Sequence, residues 1–132
     1  LWDDDFWGNA AWEQWVDEIS RVLSPVEFPI RDLSHDHPIW RAMFQIKELP
    51  QIPSINFWSR SGGETSEREW ESAEPHIRGI SDSHGRLMVL MTHNTDISDA
   101  WEREGEDPRY FYLFSPNGYA VGINVIMYAM TH

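Results

Sequence analysis

The chain has 132 residues, 41% of them hydrophobic, with eight tryptophans, no cysteine and a net charge of −12 from 22 acidic and 10 basic side chains. That length supports a single domain, residues 1–132, with a real core. The charge argues against nucleic-acid and anionic-membrane binding, where a basic surface supplies most of the affinity. The lack of cysteine excludes thiol nucleophiles, thiolate zinc sites and disulfides.

Leu1-Trp2 followed by Asp3-Asp4-Asp5 reads as the tail of a buried strand opening into a polar turn through Phe6-Trp7-Gly8-Asn9. Trp12, Trp15, Val16, Ile19, Val22 and Leu23 then recur at the 3, 4 and 7 spacing of an amphipathic helix over Ala10–Leu23. Asn9 is its expected N-cap and Ser24-Pro25 its stop. Val26–Leu33 contains a proline, which suits an edge or bent strand. Ser34–Pro38 reads as a turn, Ile39–Phe44 as a short helical turn, and Gln45–Leu49 as a short strand.

Phe57–Gly63 reads as a loop, with Arg60 and Gly62-Gly63 as a flexible cover over a site. Ser66 and Glu69 have capping-box spacing, which predicts a short helix over Glu67–Glu74. His76–Ile80 is irregular or a short strand. Asp82–Gly85 is a tight turn feeding the apolar strand Arg86–Thr92, and a helix follows from Asp96 or Ser98 to Gly105. Ser115–Gly118 reads as a turn. Tyr119–Met130, apolar nearly all round, is expected to be a helix buried beside Leu87–Met91, so that Ile126→Asp should unfold the domain. No apolar stretch reaches the roughly 20 residues of a membrane span. No targeting segment is visible, and the compartment is left open.

The most reactive cluster follows the apolar run Leu87–Met91. A run of this kind reads as a strand buried on both faces, as in parallel sheets. Ligands of open α/β sheets bind beyond the carboxyl ends of such strands. His93 and Asp96 therefore form the centre of a candidate site, with Asp4 and Asp5 joining from the end of the first strand, which should run parallel. Oxygen ligands plus one imidazole suit a divalent ion, making His93, Asp96, Asp4 and Asp5 a candidate metal set. His93, Asp96 and Asp5 are the candidate proton-transfer groups, since clustered carboxylates raise one another's pKa. Asp4, Trp7, Arg60 and Asn94 are candidate ligand contacts. Asp96 and Asp99 equally fit as caps that complement a helix N-terminus. His35-Asp36-His37-Pro38 fits a polar turn better than a ligand pair. Most tryptophans belong to packing, with Trp7, Trp58 and Trp70 freer to stack on a sugar.

Asp4-Asp5-Phe6-Trp7-Gly8, His37-Pro38-Ile39, Pro50-Gln51-Ile52-Pro53, His76-Ile77-Arg78-Gly79, and Gly85-Arg86 with His93-Asn94 and Asp96 together resemble domain-of-unknown-function family 4159 over essentially the whole chain. That family looks like the class I glutamine amidotransferase group that includes the ThuA-like proteins. The resemblance implies a flavodoxin-like three-layer α/β/α sandwich with a mainly parallel sheet. It also implies that typical members carry one or two more βα units before the position of Leu1. Trp2 is then a buried strand residue, and its strand is completed by a longer chain or by a second copy, which makes a homo-oligomer one expectation. The resemblance brings no activity, and glutaminase chemistry is excluded by the missing cysteine. Three readings stand: a domain binding a small polar ligand or divalent ion, a metal-assisted hydrolase of carbohydrate-like or other polar substrates, and a non-catalytic module that joins a protein partner.

Overall fold

The computed structural model describes residues 1–132. Its centre is a four-stranded sheet of β1 (Trp2–Phe6), β2 (Arg31–Asp32), β3 (His76–Ser81) and β4 (Leu87–His93), in the order β1-β4-β3-β2. Only β1 and β4 are parallel; β3 is antiparallel to both β4 and β2. This overturns the mainly parallel, flavodoxin-like sandwich. β4 is buried because helices cover both faces of a central strand, and that burial does not require parallel neighbours. The turn from Asp82 to Gly85 is too short for a parallel crossover, which needs a dozen or more residues. Asp82 builds it: its carboxylate accepts the His84 and Arg86 amides at 2.9 Å each, and Gly85 takes the left-handed conformation at φ 78°.

One face of the sheet is covered by α1 (Gly8–Ser20), whose Trp12, Trp15 and Ile19 pack on Ile80, Val89 and Met91. The predicted helix is present but starts two residues earlier, with Trp7 at the N-cap and Asn9 inside the first turn. The other face carries α2 (Ile55–Ser61), α3 (Asp99–Glu102) and α4 (Pro108–Thr131) around a core that includes Ile52, Ile55, Leu90, Ile97, Tyr110 and Val121. Two short 3₁₀ turns, Pro38–Arg41 and Glu69–Ser72, complete the chain.

Several local expectations change. Phe57–Gly63 is mostly helix: Ser54 caps α2 by accepting the Phe57 amide, and Gly62 ends it at φ 82°. Gln45–Leu49 forms no strand. Ser66 does not make a capping box; its hydroxyl donates to the Glu69 carbonyl, and the segment is a 3₁₀ turn. The strand expected over Val26–Leu33 shrinks to the two residues of β2, at the sheet edge as its proline suggested.

The last helix begins eleven residues earlier than predicted and runs through Ser115–Gly118. Gly118 and Gly122 lie where α3 crosses, against Ala100 and Trp101. Pro116 is tolerated because it is exposed, so the Tyr112 carbonyl it frees can reach water. Nor is Tyr119–Met130 buried all round. Ile126 is 58% exposed, so a charge placed there would not be buried, and the expected unfolding by Ile126→Asp no longer follows. Trp2 is half-buried, its indole donating to Thr92 Oγ1 at 3.0 Å, and β1 is an edge strand whose single neighbour is β4.

Candidate functional site

The parallel pairing of β1 and β4 brings their carboxyl ends together, with Phe6 beside His93. The acidic turn and His93 therefore lie at the same end of the sheet, but on opposite faces. Asp4 points to the α4 side. It accepts hydrogen bonds from Thr92 Oγ1 at 2.6 Å and from the Ser98 amide at 2.8 Å. His93 points to the α1 side and stacks on Trp12, with ring centroids 5.0 Å apart.

The ring nitrogens of His93 are both engaged. Nε2–H donates to the Gly8 carbonyl at 3.1 Å, and Nδ1 accepts from the Arg78 guanidinium at 3.0 Å. Burial pushes its pKa down to about 4, assisted by the nearby charges of Arg78 and His76 and opposed by the Gly8 bond. The imidazole is thus a neutral structural bridge with no lone pair left for a metal. The proposed set of His93, Asp96, Asp4 and Asp5 is not assembled, and no group of three or more His, Asp or Glu side chains is arranged to hold an ion.

Four carboxylates do converge on the α4 side. Asp96 Oδ1 accepts from Ser98 Oγ at 3.0 Å and from the Asp99 amide at 3.1 Å, so it caps α3. Asp99 accepts the Ile55 amide at 2.9 Å, tying α3 to α2, and lies 3.8 Å from Arg103. Burial raises Asp96 to about 7, with added repulsion from Asp5 and Asp99. Burial likewise raises Asp4 to about 6 against the lowering effect of its hydrogen bonds. Asp5 is raised too, by desolvation first and then by the charges of Glu67 and Asp99. It is solvent-exposed, adopts φ 70° and accepts the Trp7 indole N–H at 2.7 Å. Asp4, Asp5 and Asp96 form no ion pair, and Arg103 is the one base paired within the cluster.

The remaining candidates scatter. Asn94 is 2% exposed and spent on the fold: Oδ1 accepts the Gly8 amide and Nδ2 donates to the Glu74 carbonyl. Trp7 and Trp58 are buried, while Trp70 is exposed. Arg60 lies on α2, where its Nε–H donates to the Asn56 carbonyl, away from any covering loop. His37 caps a 3₁₀ turn by accepting the Ile39 amide, and His35 lies against Trp40. Sequence reasoning missed the partners of His93. Arg78 sits 4.4 Å from the Trp12 ring centroid and pairs with Asp32 at 3.0 Å, and His76 stacks on His93. The alternation of His76 and Arg78 on a strand directly before the hairpin was the available signal.

Fold and site together define a mixed-sheet α/β domain with an unbalanced carboxylate cluster at the ends of its two parallel strands. The chain belongs to the family described as Domain of unknown function (DUF4159), whose model matches residues 1–130. No curated protein and no solved structure matches it. No helix is long and apolar enough to cross a membrane.

Proposed function

We propose that this domain binds a small polar ligand through a positively charged nitrogen, at the cluster of Asp4, Asp5, Asp96 and Asp99. The observation that carries this is Asp5: an exposed carboxylate in a left-handed backbone conformation, facing like charges with no base of its own. Non-glycine residues in that region cost free energy and concentrate at functional sites. Burial raises Asp5 and Asp96 first and repulsion among the carboxylates adds to it, and an ammonium or guanidinium group would relieve that repulsion. A ligand of this kind suits the site better than a bare divalent ion, which would need three or more donors aimed at one point. Kinship with class I glutamine amidotransferases would be confined to the position of the site after a strand and carries no glutaminase chemistry, since the chain has no cysteine.

Amide chemical-shift titration with putrescine, with MgCl2 in parallel, tests the reading. Putrescine should move Asp5, Asp96 and Asp99 at pH 8, and Asp5→Asn should weaken the effect at least tenfold. Absence of any shift at millimolar putrescine would sink the proposal; a response to MgCl2 alone would replace the amine with the ion. A second reading makes the same site hydrolytic, because Asp96 holds a proton near neutrality beside Asp5. Hydrolysis of a polar substrate that disappears in Asp96→Asn would support it.

A further inference from the structure

The outward face of α4 is apolar where a surface helix should be polar. Tyr112, Pro116, Tyr119, Ile123, Ile126 and Met130 follow one another at alternating spacings of four and three residues. At about 100° per residue they fall within a stripe roughly 80° wide. The stripe lies opposite the buried residues Tyr110, Val121 and Tyr128. Tyr112 is 78% exposed, Ile126 58% and Met130 76%. The six positions span 18 residues in five steps, the 3.6-residue period of the α-helix itself, so the stripe runs straight along the helix as one continuous face.

From Tyr110 to Thr131 the helix carries no charged residue, although the chain as a whole carries −12. At its start, Arg109 and Asp107 pair with each other at 2.9 Å. An anionic membrane is a poor occupant, because an interfacial helix needs basic residues along its polar face and α4 has none. A heterologous partner selected by charge has nothing to read on this face. The same uncharged stripe on another copy is complementary to it by symmetry, and the acids that would repel a second copy lie off the stripe.

We propose that α4 is the interface of a symmetric homodimer, with the stripe from Tyr112 to Met130 packed against its equivalent in a second copy. Tyr112, Tyr119, Ile126 and Met130, with Leu113 flanking the stripe, leave roughly 600 Å² exposed per copy, so a pair would bury on the order of 1,200 Å², the lower bound for a stable interface.

Light-scattering mass across a dilution series is the direct test. The wild-type chain, 15.5 kDa as a monomer, should run at twice that mass at high micromolar concentration. Ile126→Glu and Tyr112→Glu should each shift dissociation to at least tenfold higher concentration with an unchanged far-UV spectrum, because both positions are exposed within one copy. Val26→Glu, at a residue 91% exposed outside α4, should leave the dimer intact. Because the chain has no cysteine, Ile123→Cys introduces a unique thiol that a short bifunctional reagent should cross-link between copies. A wild-type monomer at several hundred micromolar would overturn the proposal. So would a dimer that survives both stripe variants, or one that Val26→Glu dissolves.

Discussion

Asn124 is the polar residue on which the packing of α4 turns, and its removal has a calculable cost. The side chain is 1% exposed and uses its full hydrogen-bonding capacity on the segment that crosses it. Oδ1 accepts the amides of Met43 and Phe44 at 2.9 and 2.8 Å, and Nδ2 donates to the carbonyls of Ile39 and Phe44 at 2.9 and 2.8 Å. Asn124→Ala strands all four backbone groups. Met43 and Phe44 are exposed, so their groups can turn to water, whereas the Ile39 carbonyl belongs to a residue only 3% exposed. One stranded buried acceptor, the lost bonds and a small cavity together cost roughly 2–4 kcal/mol, less about 0.5 kcal/mol recovered from helix propensity. Against a total of roughly 5–15 kcal/mol for a domain, that is a large fraction. Asn124→Asp keeps the two acceptors but turns a charge toward two carbonyl oxygens, so it should be worse than alanine at pH 7 and recover toward it as the carboxyl protonates. Urea unfolding followed by tryptophan fluorescence and far-UV circular dichroism measures both variants. A loss below about 1 kcal/mol for Asn124→Ala, with unchanged amide exchange at Met43 and Phe44, would refute the reasoning that this amide closes the core.

The carboxylates and the histidine pull stability in opposite directions with pH. Asp96 and Asp4 are raised in the folded chain, so their contribution is present below pH 4 and is lost as pH rises through about 6 for Asp4 and about 7 for Asp96. Asp96→Asn keeps the oxygen that caps α3 and removes the buried charge. It should unfold at the same urea concentration as wild type near pH 4 and be more stable at pH 8 by roughly 2–4 kcal/mol; equal stability at both pH values would contradict this. His93 is depressed to about 4, so its contribution is present above about 6.5 and lost as pH falls toward 4. His93→Gln should flatten that limb of the stability curve, and an unaltered limb would assign it to other groups. Gly122→Ala would place a methyl 2.7 Å from the Trp101 ring, and a cost of about 1–3 kcal/mol is expected in thermal unfolding despite alanine's better helix propensity.

Much of the scaffold was readable from periodicity. The tryptophan stripe of α1, the Asp82–Gly85 turn and the apolar run of β4 each carry a strong local signal, and each element is present. Direction was not readable from the run itself, because burial on both faces reports coverage by helices and not the orientation of neighbours. The short turn before β4 did carry that information. Boundaries failed where packing overrides propensity. Ser115-Pro116-Asn117-Gly118 has the composition of a turn, yet α3 needs Gly118 and Gly122 for close approach, so the helix continues through it. The exposed stripe of α4 was hidden by its own composition, since a helix apolar on all sides looks buried until its neighbours are known.

The candidate site divided for a reason of parity. Trp2 pairs with Leu90 and Asp3 with Met91, and directly paired residues share a face of the sheet. Asp3 therefore turns to the α1 side, where its Oδ2 accepts the Trp15 indole N–H at 2.7 Å, and Asp4 turns to the α4 side with Thr92. Continued alternation would place Asp5 beside His93, as the joint site required. Instead the register slips between Asp3 and Phe6, and Phe6 takes the place opposite His93. Asp5, at φ 70°, is the inserted residue. One extra residue reverses the alternation beyond it. Phe6 is carried onto the α1 face, where it meets Trp12 and Trp15 edge-on, and Asp5 is released toward Asp96, Asp99 and Glu67. The bulge thus closes the aromatic cluster around a neutral His93 and concentrates carboxylates on the other face. Three consecutive aspartates are uniform as text, but each has a different environment, because the chain changes face between Asp3 and Asp4 and the bulge keeps Asp5 on the side of Asp4.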